Sequence, residues 1–382
     1  MWCARSVVGT AGARPSRSTD RAAVGDPQPP ALASDPELVR RCERAGHLPL
    51  AVDAMGGDHA PAVVVAGARA AWDEDGLPLV LFGPPDALGD AGPVPVFAAS
   101  EVIAMDADPG ASVRRMKDSS LVRAAEAVRD GWACAMVSAG NTGAAMAASL
   151  LRIGRIRGIS RPAIAVGIVS PGGKPTVLLD SGANAECQPE WMLQFGQMGA
   201  VYSRLRYDIA RPRVGLMSIG EESVKGNKLV KDAHELMSVD GWLDAVDAHF
   251  VGNVEGRDLM SPDLDVAVTD GFVGNVALKA MEGCLDGIVA TLEQQAGDDA
   301  HILAAARRLY ESLEPGQTGA AMLLGVRGVV MISHGSSSAW AITNALRTAQ
   351  DMVRAGVVDA LERTVGRAGA PAVAAPPGAP GS

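Results

Sequence analysis

Residues 133–153 read ACAMVSAGNTGAAMAASLLRI, and this stretch contains the pattern that decides the fold. It begins with a short apolar run, passes through the small polar residues GNTG, and continues with helical spacing. A strand that is buried on both faces reads as a continuous apolar run, and a parallel neighbour requires a crossover helix. The stretch therefore predicts a strand, a glycine-rich turn and a helix that ends near Ile153.

The same order of a strand and a polar turn recurs six more times along the chain. The sequences are PLAVDA-MGGDHAP (49–61), TVLLD-SGAN (176–184), RVGLMSI-GEESVKGNK (213–228), HFVGN-VEGRD (249–258), DVAVT-DGFVGN (265–275) and GVVMIS-HGSSS (328–338). Most of these turns lead into segments with helical spacing. This alternation indicates an α/β fold with a doubly wound, mostly parallel sheet.

Composition and charge argue against several classes of protein, namely membrane-spanning, nucleic-acid-binding and metal-binding proteins. The 382 residues are 48% hydrophobic and 20% charged, which suits a globular protein, and no apolar run is long enough for a transmembrane helix. The formal net charge of −10 argues against a nucleic-acid partner. The five cysteines are widely spaced and form no CxxC pair, which indicates reduced thiols, a cytoplasmic protein and no metal site.

Both ends of the chain have compositions that predict disorder. Residues 1–47 mix Arg, Ala, Pro, Ser and Asp without periodicity, and residues 366–382 form a tail rich in Ala, Pro and Gly. We therefore expect a disordered extension over 1–47, a folded α/β region over 48–365 with one or two lobes, and a disordered tail over 366–382.

The polar turns are candidate anion sites, because ligands of open parallel sheets bind where strands end and helices begin. Helix N-termini at that edge offer unpaired N–H groups and partial positive charge. SAGNTG (138–143) has the composition expected of a phosphate cradle. HGSSS (334–338) has the same character, and His334 is either a hydrogen-bond donor, a general acid or a structural cap. Any single turn could equally be an ordinary connection between a strand and a helix, with no role in binding.

Common catalytic motifs are absent from the sequence. It contains no GxGxxG or GxxxxGK[ST] loop, no GxSxG elbow and no HExxH pair. Nucleotide hydrolysis, standard dinucleotide-dependent dehydrogenation and serine hydrolysis therefore lack their usual signatures.

Taken together, the turns resemble those of a known family over residues 49–355, the bacterial phosphate acyltransferases. The motifs that carry this resemblance, in chain order, are AVDAMGGDHAP (51–61), MKDSS (116–120), SAGNTGA (138–144), LLDSGAN (178–184), QFGQMG (194–199), KGNKL (225–229), GNVEGRD (252–258), TDGFVGNVALK (269–279), LLGVRG (323–328) and SHGSSSA (333–339). The resemblance implies a homodimer without an organic cofactor. It also implies a three-layer sandwich similar to phosphotransacetylases and isopropylmalate dehydrogenases.

The resemblance further implies a reaction. Family members convert long-chain acyl-[acyl-carrier-protein] and inorganic phosphate to acyl phosphate and free carrier protein. A membrane glycerol-3-phosphate acyltransferase then uses the acyl phosphate for phospholipid synthesis. Phosphate is already anionic at neutral pH and can attack the thioester directly, so the missing nucleophile motifs fit this chemistry.

This interpretation assigns roles to the polar residues of the turns. The catalytic candidates are Asn141, Asp180, Asn184, Lys279 and His334. The phosphate-binding candidates are Lys117, Ser138, Gly140, Thr142, Gly143, Gly335, Ser336 and Ser337. The substrate-binding candidates are Asp58, Asn253, Arg257, Asp270 and Asn275. The candidates for docking the acidic carrier protein, which could also be a solvated helix face, are Arg204, Arg206, Lys225, Lys228 and Lys231.

The sequence departs from the family pattern in three places. Met116 replaces a basic residue, residues 319–322 lack the usual Gly-Gly-Ala-Pro, and residues 293–299 read EQQAGDD in the region where some members dock on membranes. The acidic segment predicts weak peripheral membrane association. Two alternatives stay open at this stage: an NAD-dependent β-decarboxylating dehydrogenase-like oxidoreductase, and a non-catalytic module that binds acyl carrier protein.

Overall fold

The computed structural model describes residues 35–297, 299–313 and 320–366, and the chain divides into two compact units. Unit 1 comprises the described residues of 35–154 and 328–354. Unit 2 comprises the described residues of 155–327 and 355–366. The predicted disorder of residues 1–34 and 367–382 lies outside the described residues, as does Gly319 of the altered 319–322 segment.

Unit 1 contains five strands and seven helices within its described residues. They are α1 (Pro36–Ala45), β1 (Leu50–Asp53), α2 (Ala62–Asp75), β2 (Leu79–Gly83), α3 (Pro85–Leu88), β3 (Val96–Ala98), α4 (Pro109–Arg115), α5 (Ser120–Arg129), β4 (Ala135–Ser138), α6 (Thr142–Ala148), a π-helical turn (Ser149–Ile153), β11 (Val329–Ile332) and α11 (Ala339–Arg354).

The five strands of unit 1 pair in the order β3-β2-β1-β4-β11, and every pairing is parallel. The strands β1 and β4 are buried at every position, as expected for parallel strands that helices cover. Helices α2 and α11 pack on each other and on the sheet, while α5 packs on β1, β2 and β4 beside α6. The predicted α/β class with a mostly parallel sheet is confirmed.

Helix α1 lies inside the segment that composition predicts to be disordered. Asp35 caps its N-terminus by accepting the N–H groups of residues 37 and 38, and Gly46 ends it in the left-handed region. Leu38 and Cys42 are buried, so the helix is held by its apolar stripe. The prediction of disorder is wrong for these residues, because it rested on the Arg, Ala and Pro content of the whole segment and not on the local cap and apolar stripe.

Unit 2 contains the remaining elements, numbered in chain order. They are β5 (Ala163–Ile168), β6 (Thr176–Leu179), α7 (Pro189–Tyr207), β7 (Arg213–Met217), α8 (Lys228–Met237), a short 3-10 helix (Asp244–Val246), β8 (His249–Val254), a second 3-10 helix (Gly256–Met260), β9 (Val266–Val268), α9 (Gly271–Ala296), α10 (Ala300–Leu313), β10 (Ala321–Leu324), α12 (Val357–Leu361) and a π-helical turn (Glu362–Gly366).

The strands of unit 2 pair in the order β10-β5-β6-β9-β7-β8. The pairings of β6 with β9, β9 with β7 and β7 with β8 are parallel, whereas β5 pairs antiparallel with both β10 and β6. The connection from β5 to β6 is short enough for a hairpin, so no crossover helix is needed there. Residues 321 and 322 of the altered family motif lie in β10.

Candidate active site

Three polar turns of unit 1 meet at one edge of its sheet. The register pairs Asp53 of β1 with Ser138 of β4, and Ser138 with Ile332 of β11, so these parallel strands end at the same level. Ser333 then donates its backbone N–H to the Ser138 carbonyl at 2.9 Å. The turns after β1, β4 and β11 are therefore neighbours, and we call them together the cradle.

The turns of the cradle approach each other at backbone distance. The Asp58 N–H donates to the Gly335 carbonyl at 2.8 Å. A Cβ added to Gly56 would lie 2.5 Å from the Gly140 nitrogen, closer than real Cβ atoms come to any atom. Gly57 has φ +118°, a backbone conformation that favours glycine. Glycine is thus required at both positions for the turns to touch.

Asp53 lies at the base of the cradle and is not among the site residues predicted from the sequence. It is 3% exposed and accepts the Ser138 hydroxyl at 2.7 Å and the Met55 N–H at 3.4 Å. Burial raises the pKa of Asp53, while the hydrogen bonds of Ser120, Ser138 and Met55 oppose that shift. The signal that could have found it is a carboxylate at the end of an otherwise apolar strand.

Ser138 links this carboxylate to the turn that follows it. Its hydroxyl donates to Asp53, and its oxygen accepts the Gly140 N–H at 3.1 Å. The hydroxyl proton is therefore already used within the protein. In this conformation Ser138 orients the Gly140 backbone, and the direct phosphate contact predicted for it stays a prediction.

Asn141 organises the helix that begins in the cradle. Its side-chain oxygen accepts the Ala144 N–H at 2.9 Å, which makes it the N-cap of α6. Its amide nitrogen donates to the carbonyls of Met105 at 2.7 Å and Ala107 at 3.1 Å. One side chain thus joins the helix to the loop that precedes α4.

The first residues of α6 retain donors for a ligand. Among the described residues, neither the Thr142 nor the Gly143 N–H has a hydrogen-bond partner, as is usual in the first turn of a helix. The Thr142 side chain is exposed, and a Cβ on Gly143 would meet the Pro109 ring at 2.7 Å. The phosphate contacts predicted for Thr142 and Gly143 stay predictions.

The third turn of the cradle contributes His334 and a row of serines. A ring nitrogen of His334 lies 2.7 Å from the Ser336 hydroxyl, and the Ser337 N–H donates to the His334 carbonyl at 3.0 Å. His334 and Ser336 are exposed, so the pair faces solvent rather than the core. The carboxylate of Asp58 lies over Gly335, where an added Cβ would be 3.2 Å from both oxygens.

Lys117 precedes α5 and is exposed. It forms no hydrogen bond or ion pair with another residue in the described part of the chain. Ser119 accepts the Val122 N–H and is the N-cap of α5.

A second predicted cluster lies in unit 2 around Asp180. Its carboxylate is fully buried and accepts the N–H groups of Ile164 and Ala183 at 3.0 Å each. It also accepts the Gly182 N–H at 3.2 Å, the Asn184 N–H at 2.7 Å and the Asn184 side-chain amide at 2.8 Å. Burial raises the pKa of Asp180 against these donors. The contacts give Asp180 and Asn184 a clear role in shaping this turn.

Asp270 and Asn275 join the same cluster from α9. Asp270 caps α9 by accepting the N–H groups of Phe272 and Val273, and Asn275 donates to the Ser181 carbonyl at 3.2 Å. Lys279, one turn further along α9, lies 3.1 Å from Glu282. The catalytic and substrate-binding roles predicted for these residues stay predictions.

The remaining candidates of unit 2 are engaged with neighbours in their own region. Asn253 lies 2.9 Å from a ring nitrogen of His234 and donates to the Glu222 carbonyl. Arg257 lies 2.9 Å from Glu255 and 3.5 Å from Glu221. The anion grip predicted for Arg257 would therefore compete with two carboxylates.

The predicted docking cluster is mixed in charge. Lys228 pairs with Asp232 at 2.5 Å, and Lys231 lines a cavity of about 490 Å³ together with Glu235. Arg204 donates to the Val246 carbonyl, and Arg206 lies over the Tyr207 ring. Lys225 packs its stem over Gly220 beside the Glu222 carboxylate.

The buried carboxylate of Asp53 predicts a specific pH dependence. Because its pKa is raised above the ordinary value of 3.8, the folded state binds this proton more tightly than the unfolded chain. The resulting stability is fully present below pH 3.8 and is lost as pH rises through the raised pKa. Replacing Asp53 by Asn removes the charge, so the variant should gain stability relative to the native protein as pH rises through that window.

Urea unfolding at a series of pH values measures this difference. The matched control is Asp73→Asn, which removes an exposed carboxylate on α2. A difference between Asp53→Asn and the native protein that does not change with pH would contradict the prediction.

Comparisons with known proteins show which family the chain resembles. A family model described as fatty acid synthesis protein matches residues 48–360. A phosphate acyltransferase of Heliobacterium modesticaldum is 45% identical over 333 residues, covering 83% of this chain and 97% of the relative. A phosphate acyltransferase of Pelotomaculum thermopropionicum is 43% identical over 330 residues, covering 83% of this chain and 94% of the relative.

Solved structures support the fold at low sequence identity. A phosphotransacetylase from Streptococcus pyogenes has a TM-score of 0.55 at 17% identity and covers 83% of this chain and 98% of its own. A branched-chain phosphotransacylase from Enterococcus faecalis has a TM-score of 0.53 at 15% identity and covers 80% of this chain and 99% of its own. At these identities the likeness concerns the fold alone.

Proposed function

Since this chain belongs to the phosphate acyltransferase family and is a transferase, we propose that it moves a long-chain acyl group from acyl carrier protein to inorganic phosphate. The products are acyl phosphate and free carrier protein. Family membership places the enzyme in fatty acid and phospholipid synthesis. It also argues against the two alternatives, an NAD-dependent oxidoreductase and a non-catalytic carrier-binding module.

The proposed reaction is a single displacement at the thioester carbonyl. A phosphate oxygen forms the new bond to carbon, the carbonyl oxygen gains negative charge in the tetrahedral intermediate, and the carbon–sulfur bond then breaks. The thiolate of the carrier's prosthetic group leaves and takes up a proton. The protein must orient phosphate against the carbonyl and stabilise the oxyanion; one good donor of that kind contributes about 2.7–4 kcal/mol.

Two thiols of the chain are poorly suited to act as nucleophiles themselves. Burial raises the pKa of Cys134 to about 12, and burial also raises the pKa of Cys187 to about 12. The thiolate is the reactive form, so little of it is present at neutral pH. This supports direct attack by phosphate rather than an acyl-cysteine intermediate at either residue.

The observation that carries the proposal is the cradle of unit 1. Backbone contact between its turns brings the unpaired N–H groups of Thr142 and Gly143 to the sheet edge that also presents the Ser336 hydroxyl. Small residues and unpaired amides at a helix N-terminus suit a phosphate-sized anion. The contact of His334 with Ser336 supports a role for His334 in proton exchange at the surface of the cradle.

The direct test is incubation with palmitoyl-carrier protein and labelled phosphate. We expect acid-labile acyl phosphate to form together with an equal amount of free carrier protein. Release of carrier protein that does not depend on phosphate would contradict the proposal, because it would indicate hydrolysis.

Replacing Ser336 by Ala should lower turnover at least tenfold. The change removes a hydroxyl donor of the cradle and the partner of His334, while the side chain is exposed and helix α11 begins three residues later. Steady-state turnover at saturating phosphate measures the effect. Ser261→Ala, which removes a serine hydroxyl outside the cradle, is the control; equal turnover in both variants would remove Ser336 from the site.

The homodimer and the membrane partner are further parts of the proposal. Helices α9 and α10 pack on each other, yet Phe272, Val276 and Ile288 of α9 remain 65%, 53% and 48% exposed, which supports a second copy as their partner. Within the described residues, every helix is too short or too polar to span a bilayer. A cytoplasmic enzyme with weak peripheral membrane association would deliver acyl phosphate to a membrane glycerol-3-phosphate acyltransferase.

A further inference from the structure

We propose that acyl carrier protein docks on unit 1, on a surface formed by Arg114 and Arg115 in the last turn of α4, by Lys117 just after α4, and by Leu150 and Leu151 of the π-helical turn that contacts α4. We call this set the α4 surface. The inference rests on the proposed function, because it takes acyl carrier protein as the substrate carrier. It adds where that acidic protein binds and by which side chains.

The charges of the α4 surface are unneutralised. Arg114, Arg115 and Lys117 are all exposed, and none of them forms an ion pair with an acidic side chain in the described residues. The neighbouring acidic groups have other partners: Asp118 pairs with Arg123 at 2.8 Å, and Glu101 accepts the Asp118 N–H. Asp108, whose carboxylate lies near Gly110 as the Arg114 guanidinium does, accepts the Ala111 N–H at 2.7 Å. Three positive charges within four residues therefore stand out on a chain whose formal net charge is −10. Such a local field attracts an acidic partner and orients its approach.

Exposed apolar side chains lie on the π-helical turn that contacts α4. Leu150 and Leu151 are 37% and 48% exposed. Between this turn and α4, the Arg152 guanidinium donates to the Val113 carbonyl at 3.1 Å. This contact links the turn that carries the two leucines to the residue of α4 that precedes Arg114. Protein interfaces commonly combine an apolar centre with charges at the rim, and the α4 surface offers both.

The α4 surface is physically connected to the cradle. Helix α4 begins at Pro109, whose ring packs against Gly143, and Asn141 holds the Ala107 carbonyl at 3.1 Å. A seven-residue helix is about 10 Å long, so its basic end lies roughly that far from the residues that touch the cradle. A carrier protein bound there could reach the cradle with its long, flexible prosthetic arm.

The lysines in and just before α8 are a weaker candidate for binding carrier protein, because acidic side chains lie next to them. Lys228 is paired with Asp232, Lys231 shares its cavity with Glu235, and Lys225 lies beside Glu222. Each lysine there has an acidic neighbour, so the local field is largely cancelled. The structure thus favours the α4 surface over the cluster that spacing along the sequence suggested.

Two double variants, each with two reversed charges, distinguish between docking on the α4 surface and docking on the α8 lysines. Arg114→Glu/Arg115→Glu changes the α4 surface, and Lys225→Glu/Lys231→Glu changes α8 by the same net charge. Binding of fluorescently labelled holo-carrier protein is measured by anisotropy for both variants and the native enzyme. Turnover is measured with palmitoyl-carrier protein and with palmitoyl-pantetheine, an uncharged thioester that needs no docking surface. Lys117 is left unchanged because it is also a candidate phosphate ligand.

We expect the arginine variant to bind carrier protein at least tenfold more weakly and to show a correspondingly higher KM for palmitoyl-carrier protein. Its turnover of palmitoyl-pantetheine should stay at the native value, which shows that the fold and the cradle are intact. The lysine variant should keep native affinity. Leu151→Ser should weaken binding threefold or more with the charges retained.

Native affinity in the arginine variant, or equal losses in both double variants, would overturn the α4 surface. Loss in the lysine variant alone would move the docking site to α8. Failure of the proposed function is distinguishable, because it appears as a native enzyme that forms no acyl phosphate, while the anisotropy measurement still decides where carrier protein binds.

Discussion

Replacing Gly56 by Ala is expected to lower turnover at least a hundredfold. The added methyl carbon would lie 2.5 Å from the Gly140 nitrogen and 2.8 Å from an Asp53 oxygen. Both neighbours are tightly held, the first as backbone and the second as a buried carboxylate that accepts the Ser138 hydroxyl. The turn after β1 must therefore move away from the turn after β4, which separates the groups of the cradle. Turnover and phosphate KM measured together report the loss.

Gly283→Ala is the matched control for this substitution. Gly283 lies in the middle of α9, and an added Cβ there meets nothing within 4 Å. Because glycine is unfavourable inside a helix, this variant should keep native turnover and gain about 0.5–1 kcal/mol in the free energy of unfolding. Near-native turnover of Gly56→Ala would show that the cradle does not depend on contact between these turns.

Replacing Asn141 by Asp is expected to lower turnover at least tenfold. An aspartate can still cap α6, but it cannot donate to the Met105 and Ala107 carbonyls, and its charge would face both of those oxygens. The loop before α4 should therefore detach from the cradle, and the added negative charge should repel phosphate. An increase in phosphate KM together with a loss of turnover would show both effects.

Asn227→Asp is the control for the capping function. Asn227 is the N-cap of α8 and accepts the Val230 N–H at 3.0 Å, as Asn141 does for Ala144. This variant keeps a cap outside the cradle and should retain native turnover. Asn141→Ala is less informative, because loss of the cap alone costs about 1 kcal/mol in stability. Native turnover in Asn141→Asp would exclude the proposed role of this turn.

All seven strands expected from apolar runs with polar turns are present in the structure. The helix expected to end near Ile153 is present as α6, which continues into the π-helical turn that ends at Ile153.

The strands β2, β3, β5 and β10 were not anticipated. The turns after β5 and β10 contain glycines but lead into another strand instead of a helix, and β5 runs antiparallel to both of its neighbours. A short apolar run does not reveal whether its neighbour is parallel or antiparallel. Pairing direction depends on partners that are distant in the chain.

Some residues of the candidate site could also be predicted from the sequence, and others could not. Asn141 and the SAGNTG turn were recognisable from residue types alone, because small and capping residues have strong local preferences. Asp53 was not, since its importance comes from Ser138, which lies 85 positions further along the chain. The sequence also does not show that the α8 lysines have acidic neighbours while the basic residues of the α4 surface form no ion pair in the described residues. An ion pair needs two side chains whose proximity depends on the fold.

The sequence by itself determined the α/β class, the positions of the polar turns and the family, because strand burial, turn chemistry and helix capping act over a few neighbouring residues. Only the tertiary structure decided which of those turns contact each other, which polar groups already form hydrogen bonds within the protein and which charged side chains lack an ion-pair partner in the described residues. Those properties depend on distances between residues far apart in the chain, and such distances arise only when the strands take their order in the sheet.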